Sequence, residues 1–275
     1  MKSFIKFNDC ARVALWLMLL GATVLALGCG QSDRQGQTLT IAGSTSVQPF
    51  AEKLAEVYMQ HHPGLLINVQ GGGSSAGIMA VQQGAADIGA SSRELNNAEK
   101  NLHEMIIAWD GIAVIVNPAC GLDNLSLENL RQIFEGTVEN WTALGLKPHG
   151  IHVITREEGS GTRTAFEELV MKKTEITQEA LVQDSNGAVR EIVANDPNAI
   201  GYISCGLVNN QVKALAIDGV SPTGQNIKKN AYKLTRRFLF VTLNKPDGQL
   251  KDFDDFVLSQ KGQMLLEKEG LIGVH

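Results

Sequence analysis

The sequence predicts an α/β protein of mixed, mostly parallel sheets flanked by helices, and two observations carry that expectation. Segments rich in β-branched residues alternate several times with segments whose apolar residues recur at helical spacing. Between them lie short loops of Gly, Ser and Thr, residues that suit the turn from a strand into a helix. The composition agrees: of 275 residues, 44% are apolar and 19% charged, which suits a buried core and not a disordered chain.

Taken in order, residues 38–42 read as a buried strand and 47–61 as a helix, because Phe50, Leu54, Val57 and Tyr58 fall on one helical face. His61-His62-Pro63-Gly64 ends that helix, with Pro and Gly as stop signals. Residues 65–70 form the next strand, 76–83 a short helix and 86–90 a third strand. Further on, the pattern gives a helix at 127–134, a strand at 151–155 and a helix at 162–171. A helix at 188–194, strands at 199–204 and 238–243, and helices at 250–258 and 260–268 complete the chain. Such alternation places helices over both faces of a sheet.

The first segment reads as an address. Lys2, Lys6 and Arg12 lead into an uncharged apolar run over residues 13–28, too short to span a bilayer but fitting a signal peptide. It ends Leu25-Ala26-Leu27-Gly28-Cys29, which resembles the lipobox of bacterial lipoproteins and marks Cys29 for lipidation after removal of residues 1–28. Ordinary secretion with a free Cys29 thiol is the alternative. Residues 29–37 are short and polar, a flexible tether. Asp110 interrupts the best later apolar run, residues 106–116, so no second membrane span is expected. With Cys10 cleaved away and Cys29 acylated, Cys120 and Cys205 remain, free or paired, and neither belongs to a metal-ligand pattern.

The net charge of −5 and the 5% aromatic content argue against nucleic acid as a partner. An anionic small molecule stays open, because local donors can oppose a negative overall field. Gly43-Ser44-Thr45-Ser46, Gly71-Gly72-Gly73-Ser74-Ser75-Ala76-Gly77 and Arg156-Glu157-Glu158-Gly159-Ser160-Gly161-Thr162 each join a strand to a helix. Loops at the carboxyl ends of strands are where ligands bind in open α/β sheets, and each offers unpaired helix N-terminal amides. Gly89-Ala90-Ser91-Ser92-Arg93 adds two hydroxyls and a cation. Each hydroxyl also has a purely structural use, as a helix cap. One such loop alone argues for capping, and four together argue for a shared ligand.

Enzymatic readings compete with that one. Gly73-Ser74-Ser75-Ala76-Gly77 satisfies G-x-S-x-G, which would make the protein a secreted serine hydrolase with Ser75 as nucleophile. Its acid and histidine partners would have to come from scattered positions among His103, His149, His152 and His275. Gly71-x-Gly73-x-x-Ala76 fits a dinucleotide fingerprint, but Ser91-Ser92-Arg93 stands where the ribose-binding acid belongs. No P-loop is present. His61-His62 and His149-x-x-His152 read as a helix end and a strand entry, not as metal ligands.

Taken together, Ala42-Gly43-Ser44-Thr45-Ser46, Gly73-Ser74-Ser75, residues 87–93 and residues 156–162 resemble the substrate-binding proteins of phosphate ABC transporters, in order and spacing over nearly the whole mature chain. The resemblance implies a two-lobed periplasmic-binding-protein type II fold with a hinge of two crossings. Residues 38–115 and 242–275 would form lobe I and 116–241 lobe II, crossing near Val116 and Val241. By motif position, phosphate would be met by Thr45, Ser46, Ser74 and Ser92 from one lobe and by Arg156, Ser160, Gly161 and Thr162 from the other. The implied work is binding of inorganic phosphate outside the cytoplasmic membrane and its delivery to the permease of an ABC importer. It involves no bond chemistry, no cofactor and no metal, and is done by a lipid-anchored monomer. A receptor for another oxyanion, or a phosphate sensor, is the alternative within the same fold. Many members of the family carry Asp where this chain has Ser92, so Asp87, Glu157 or Glu158 is expected to supply the missing acceptor, through orienting a donor. Arg93 either adds charge to the site or pairs with Glu94 or Asp87 on its rim.

Overall fold

A computed structural model describes residues 37–275. The expected signal peptide, the Cys29 expected to carry a lipid and the expected tether up to residue 36 lie outside the described residues. Gln37, expected to end the tether, already belongs to the first strand, where it pairs with Leu65. Among the described residues no helix is long and apolar enough to cross a membrane.

The first half is a β-α-β-α-β run: β1 (Gln37–Gly43), α1 (Gln48–Met59), β2 (Leu65–Gly71), α2 (Ser74–Gln82) and β3 (Ile88–Ser91). β1 lies between β2 and β3 and is parallel to both. α1 turns Phe50, Ala51, Leu54 and Tyr58 onto the sheet, the face its spacing predicts. Two C-terminal helices, α7 (Gly248–Leu258) and α8 (Gln260–Lys268), close this half, with Phe253 packed edge-on against Tyr58.

The longest strand, β4 (His103–Val116), was not legible as a strand, because its apolar residues do not alternate. It is nevertheless the spine of the molecule. Its first part pairs antiparallel with β11 (Thr235–Thr242), which in turn pairs with β3. Its last part, from Ile112 to Val116, pairs antiparallel with β8 (Ala199–Ser204). Beyond β8 lie β6 (His152–Arg156) and β7 (Leu181–Gln183), both parallel. Of three two-residue strands, β9 (Lys213–Ala214) pairs with the end of β4, and β5 (Asn124–Leu125) and β10 (Ala216–Ile217) pair with each other. The order β2-β1-β3-β11-β4-β8-β6-β7 is therefore one mixed sheet, parallel at its two ends and antiparallel in its middle.

The second half carries α3 (Leu127–Glu135), α4 (Gly161–Phe166), α5 (Asn186–Asn195) and the short α6 (Gly224–Lys228). The helix predicted to run to Met171 changes after Phe166 into a π-helical turn over Glu167–Met171. Its core centres on Phe134, Phe166 and Tyr202, with Phe166 and Tyr202 stacked 4.0 Å apart. A separate core in the first half holds Ile41, Leu54, Ile88, Phe238 and Phe240. The two cores divide the chain at Gly111–Ile112 and Leu234–Thr235, since Ala108 and Phe238 belong to one and Ile112 and Leu234 to the other. The crossings thus fall several residues before the expected Val116 and Val241. Charged residues flank both positions, Asp110 at the first and Arg236-Arg237 at the second, but they do not mark a boundary by themselves, and strand pairing reveals where the partner changes. Cys120 and Cys205 are both free thiols.

Candidate functional site

Each of the four polar loops ends a strand of this sheet, and the two halves bring them face to face. At the first loop, α1 begins after Val47 with no side-chain cap, and its hydroxyls are left for other partners. α2 likewise starts at Gly73 without a side-chain cap. Only Ser160 plays the capping role, accepting from the Arg163 amide at 3.3 Å. Capping therefore does not account for Thr45, Ser46 or Ser74.

Their partners lie across the divide. Ser46 Oγ is 2.7 Å from Thr162 Oγ1, and Arg156 Nη2 donates to Thr45 Oγ1 at 3.2 Å. The Ser75 amide donates to the Gly159 carbonyl at 3.2 Å. Gly161 sits so close to the first half that a Cβ there would stand 2.2 Å from Ser74 Oγ and 2.7 Å from Ser92 Oγ. Ser74 accepts the Ser92 amide at 3.1 Å, and Ser92 Oγ accepts from Ser44 Oγ at 2.8 Å. Ser46, Ser74, Ser92, Arg156, Ser160 and Thr162 are all buried, while Thr45 is half-buried. The predicted set is thus one cluster, with Ser160 joined to it through Gly161.

Arg156 dominates the electrostatics. Glu157 grips it through Nε at 3.0 Å and Nη2 at 2.9 Å, and the Gln183 and Asp184 carbonyls accept from the same two nitrogens. Nη1 is buried and has no hydrogen-bond partner. A buried guanidinium nitrogen left without an acceptor is costly unless an anion accepts its hydrogen bonds. Behind it, Tyr202 OH accepts the Arg156 amide at 3.4 Å and shares a hydrogen bond with Thr155, and burial pushes its phenol up to about 12.

Three groups at the site carried no motif. Asn186, at the start of α5, donates to Thr45 Oγ1 at 3.3 Å and to Ser46 Oγ at 2.9 Å. Arg236 donates to Ser46 Oγ at 3.2 Å and pairs with Asp110 at 2.9 Å, its cross-strand neighbour in β4. Ser204 at the end of β8 donates to the other Asp110 oxygen at 2.8 Å. Burial pushes the Asp110 carboxyl up, and Arg236 and Ser204 pull it back. Burial lowers the Arg236 guanidinium, and Asp110 opposes that shift. The signal that would have found this pair is its register, which sequence does not display.

Two expectations need correction, and a third fares better. Asp87 is turned away from the cluster, its Oδ2 accepting the Thr40 amide at 2.7 Å. Arg93 pairs with neither Asp87 nor the Glu94 carboxylate but with Glu99, through both terminal nitrogens, at 2.8 and 2.9 Å. It touches Glu94 only at the main-chain carbonyl, and its Nη2 also donates to Ser75 Oγ at 3.2 Å. Glu157 does orient a donor, Arg156, as expected of one of the three carboxylates. No histidine hydrogen-bonds to Ser75 among the described residues, so the nucleophile reading has no base beside it.

Residues 30–261 match the family described as a PBP superfamily domain. The chain belongs to the PBP superfamily. Its relatives bear out the resemblance read from the loops. It is 31% identical to the phosphate-binding protein PstS of Bacillus subtilis, covering 96% of this chain and 94% of that one. A phosphate-bound structure from Clostridium perfringens, named as a phosphate ABC transporter substrate-binding protein, is 40% identical with a TM-score of 0.84. It covers 87% of this chain and is itself covered completely. An ABC-type phosphate transport receptor from Vibrio cholerae is 38% identical with a TM-score of 0.72, over 86% of this chain and 100% of the other. In this PBP-superfamily chain, then, the four loops face one another across the join between two halves.

Proposed function

We propose that this protein binds inorganic phosphate in the cleft between its two halves and hands it to the permease of an ABC importer. The observation that carries the reading is the buried Arg156 Nη1, left without an acceptor beside a wall of hydroxyls drawn from both halves. Hydroxyls, main-chain amides and one pinned cation suit a tetrahedral oxyanion, because each bond to charge returns about 1.5–3 kcal/mol against a large desolvation cost. Every arginine near the cluster already has a carboxylate partner, so the site offers donors without a large net positive charge that would trap the ion. The names of the relatives support transport as the purpose.

Thr45, Ser74, Ser92, Arg156, Ser160, Gly161 and Thr162 form the phosphate shell, with Ser46 behind Thr162. Binding takes place outside the cytoplasmic membrane, with the chain anchored through a lipid on Cys29. No bond is made or broken in this work, and no general base is required. The protein acts as a monomer, with residues 37–111 and 235–275 forming one lobe and 112–234 the other. Isothermal titration of the purified chain with phosphate tests the reading, and mass analysis of the species it retains tests it independently. Micromolar or tighter binding is expected, equivalent to about −8 kcal/mol or more. Absence of phosphate heat from ligand-free protein overturns it.

A further inference from the structure

Two hydroxyls of the cluster have both their lone pairs occupied. Ser46 Oγ accepts from Asn186 Nδ2 at 2.9 Å and from Arg236 Nη2 at 3.2 Å. A hydroxyl has one proton to give and two lone pairs to fill, so donation is all that Ser46 has left. The atom it faces is Thr162 Oγ1, 2.7 Å away in the other half. Thr162 therefore accepts there and keeps its own proton for another partner. Thr45 Oγ1 stands in the same position, taking Arg156 Nη2 at 3.2 Å and Asn186 Nδ2 at 3.3 Å.

The direction of this chain is set by groups that cannot reverse. A guanidinium has no acceptor, so Arg236 can only donate. The amide of Asn186 is oriented by its other end, where Oδ1 accepts the Ser204 main-chain amide at 3.1 Å and so turns Nδ2 toward the hydroxyls. Arg236 is aimed by Asp110, which is held in turn by Ser204. The charged groups around the cluster are the pairs Arg236–Asp110, Arg156–Glu157, Arg93–Glu99 and, behind Thr162, Arg163–Glu167. No histidine is hydrogen-bonded to any of them among the described residues.

We propose that Asn186 and Arg236 are positioning residues that make Thr45 and Ser46 obligate donors and, through Ser46, leave the Thr162 proton for the anion, so that the cleft selects doubly ionised over singly ionised phosphate. The inference rests on the phosphate reading and adds a protonation state to it. A singly ionised phosphate brings two protons of its own, and on this wall they meet protons. A doubly ionised one brings a single proton, for which Ser92 and Ser74 remain, since neither has both lone pairs filled by nitrogen donors.

The experiment counts protons. The full chain is titrated with inorganic phosphate at pH 6, where the singly ionised form prevails, in buffers of different ionisation heat. Selection of the doubly ionised form releases close to one proton per phosphate, and affinity rises about tenfold between pH 6 and pH 8. Asn186→Asp keeps the acceptor for Ser204 but draws the Thr45 and Ser46 protons to itself, and Asn186→Leu removes the donor without adding charge. In both, the released proton falls toward zero and the tenfold pH ratio toward one. A wild-type count near zero overturns the inference, as does any folded variant that keeps one proton and a tenfold ratio. Should the Leu variant not melt cooperatively, the Asp variant, which preserves the Ser204 contact, decides. A wild-type chain that binds no phosphate removes the reading on which the inference rests.

Discussion

Gly161→Ala isolates the contact between the two halves from the stability of either. Gly161 opens α4 with no positive φ, so alanine is compatible with its backbone and even favours the helix. The added carbon would stand 2.2 Å from Ser74 Oγ, 3.0 Å from Ser74 Cβ and 2.7 Å from Ser92 Oγ, more than an ångström inside ordinary contact for the closest. Two responses are open to the molecule. Ser74 can rotate away, which abandons the buried Ser92 amide that it accepts at 3.1 Å and withdraws one donor from the anion. Otherwise the halves stand apart, which lengthens the bonds of Thr162 and Arg156 across the divide. The first response costs the chain one neutral hydrogen bond and the complex one charge-assisted bond, the latter about 1.5–3 kcal/mol. That corresponds to roughly 10- to 150-fold weaker binding. Isothermal titration with phosphate measures the loss, and a thermal melt of the ligand-free chain checks that the fold is intact. A variant with wild-type melting and a dissociation constant within about threefold of wild type would refute the steric argument.

Arg156→Ala removes the cation whose Nη1 waits for an acceptor, and phosphate affinity should fall at least about 100-fold by titration. Arg156→Lys should not restore it, because an ammonium cannot hold Glu157, Thr45 and an anion in one planar fork; recovery to within tenfold would contradict this. Ser75→Ala should leave phosphate affinity within about fivefold and abolish no esterase turnover, whereas loss of a measurable turnover would reinstate the hydrolase. Asp254 in α7 is buried with Oδ1 unpartnered, and burial, aided by Asp255, pushes its carboxyl up to about 7. The folded state then holds that proton more tightly than the unfolded chain, so this group's contribution is full below about pH 4 and declines as pH rises through 7. Asp254→Asn should therefore match wild type near pH 4 and exceed it in denaturant melts at pH 8, by on the order of 2–4 kcal/mol. Equal stabilities at pH 8 would show that the carboxylate finds a partner.

The site was legible wherever local sequence carries chemistry. Glycine beside Ser or Thr, placed between a strand and a helix, is a short-range signal, and the residues it singled out, Thr45, Ser46, Ser74, Ser92, Arg156, Ser160, Gly161 and Thr162, lie close together in the fold. Asn186 was hidden because Ser185-Asn186-Gly187 reads as an ordinary helix start, and Ser185 does cap that helix. Arg236, next to Arg237 in a strand, reads as a solvated position, and only the strand register sets it against Asp110. Arg237 is in fact the more exposed of the two and meets Glu94 and Glu104. The alternation of elements was recovered because hydrophobic period is local. β4 was lost because an apolar run without alternation, broken only at Asp110-Gly111, fits a buried strand and a buried helix equally well.

That same strand decides how the molecule is able to move. Because β4 continues through both halves and the chain crosses back beside it at Leu234–Thr235, immediately before β11, a rotation of one half against the other would be taken up by the twist of β4 and of this adjoining link and not by a slack connector. Displacement grows with distance from such an axle. Asp110 and Arg236 sit beside it, while the Ser75–Gly159 contact is carried on loops away from it. A rotation about this axle would therefore separate the loops before it disturbed the ion pair at the pivot.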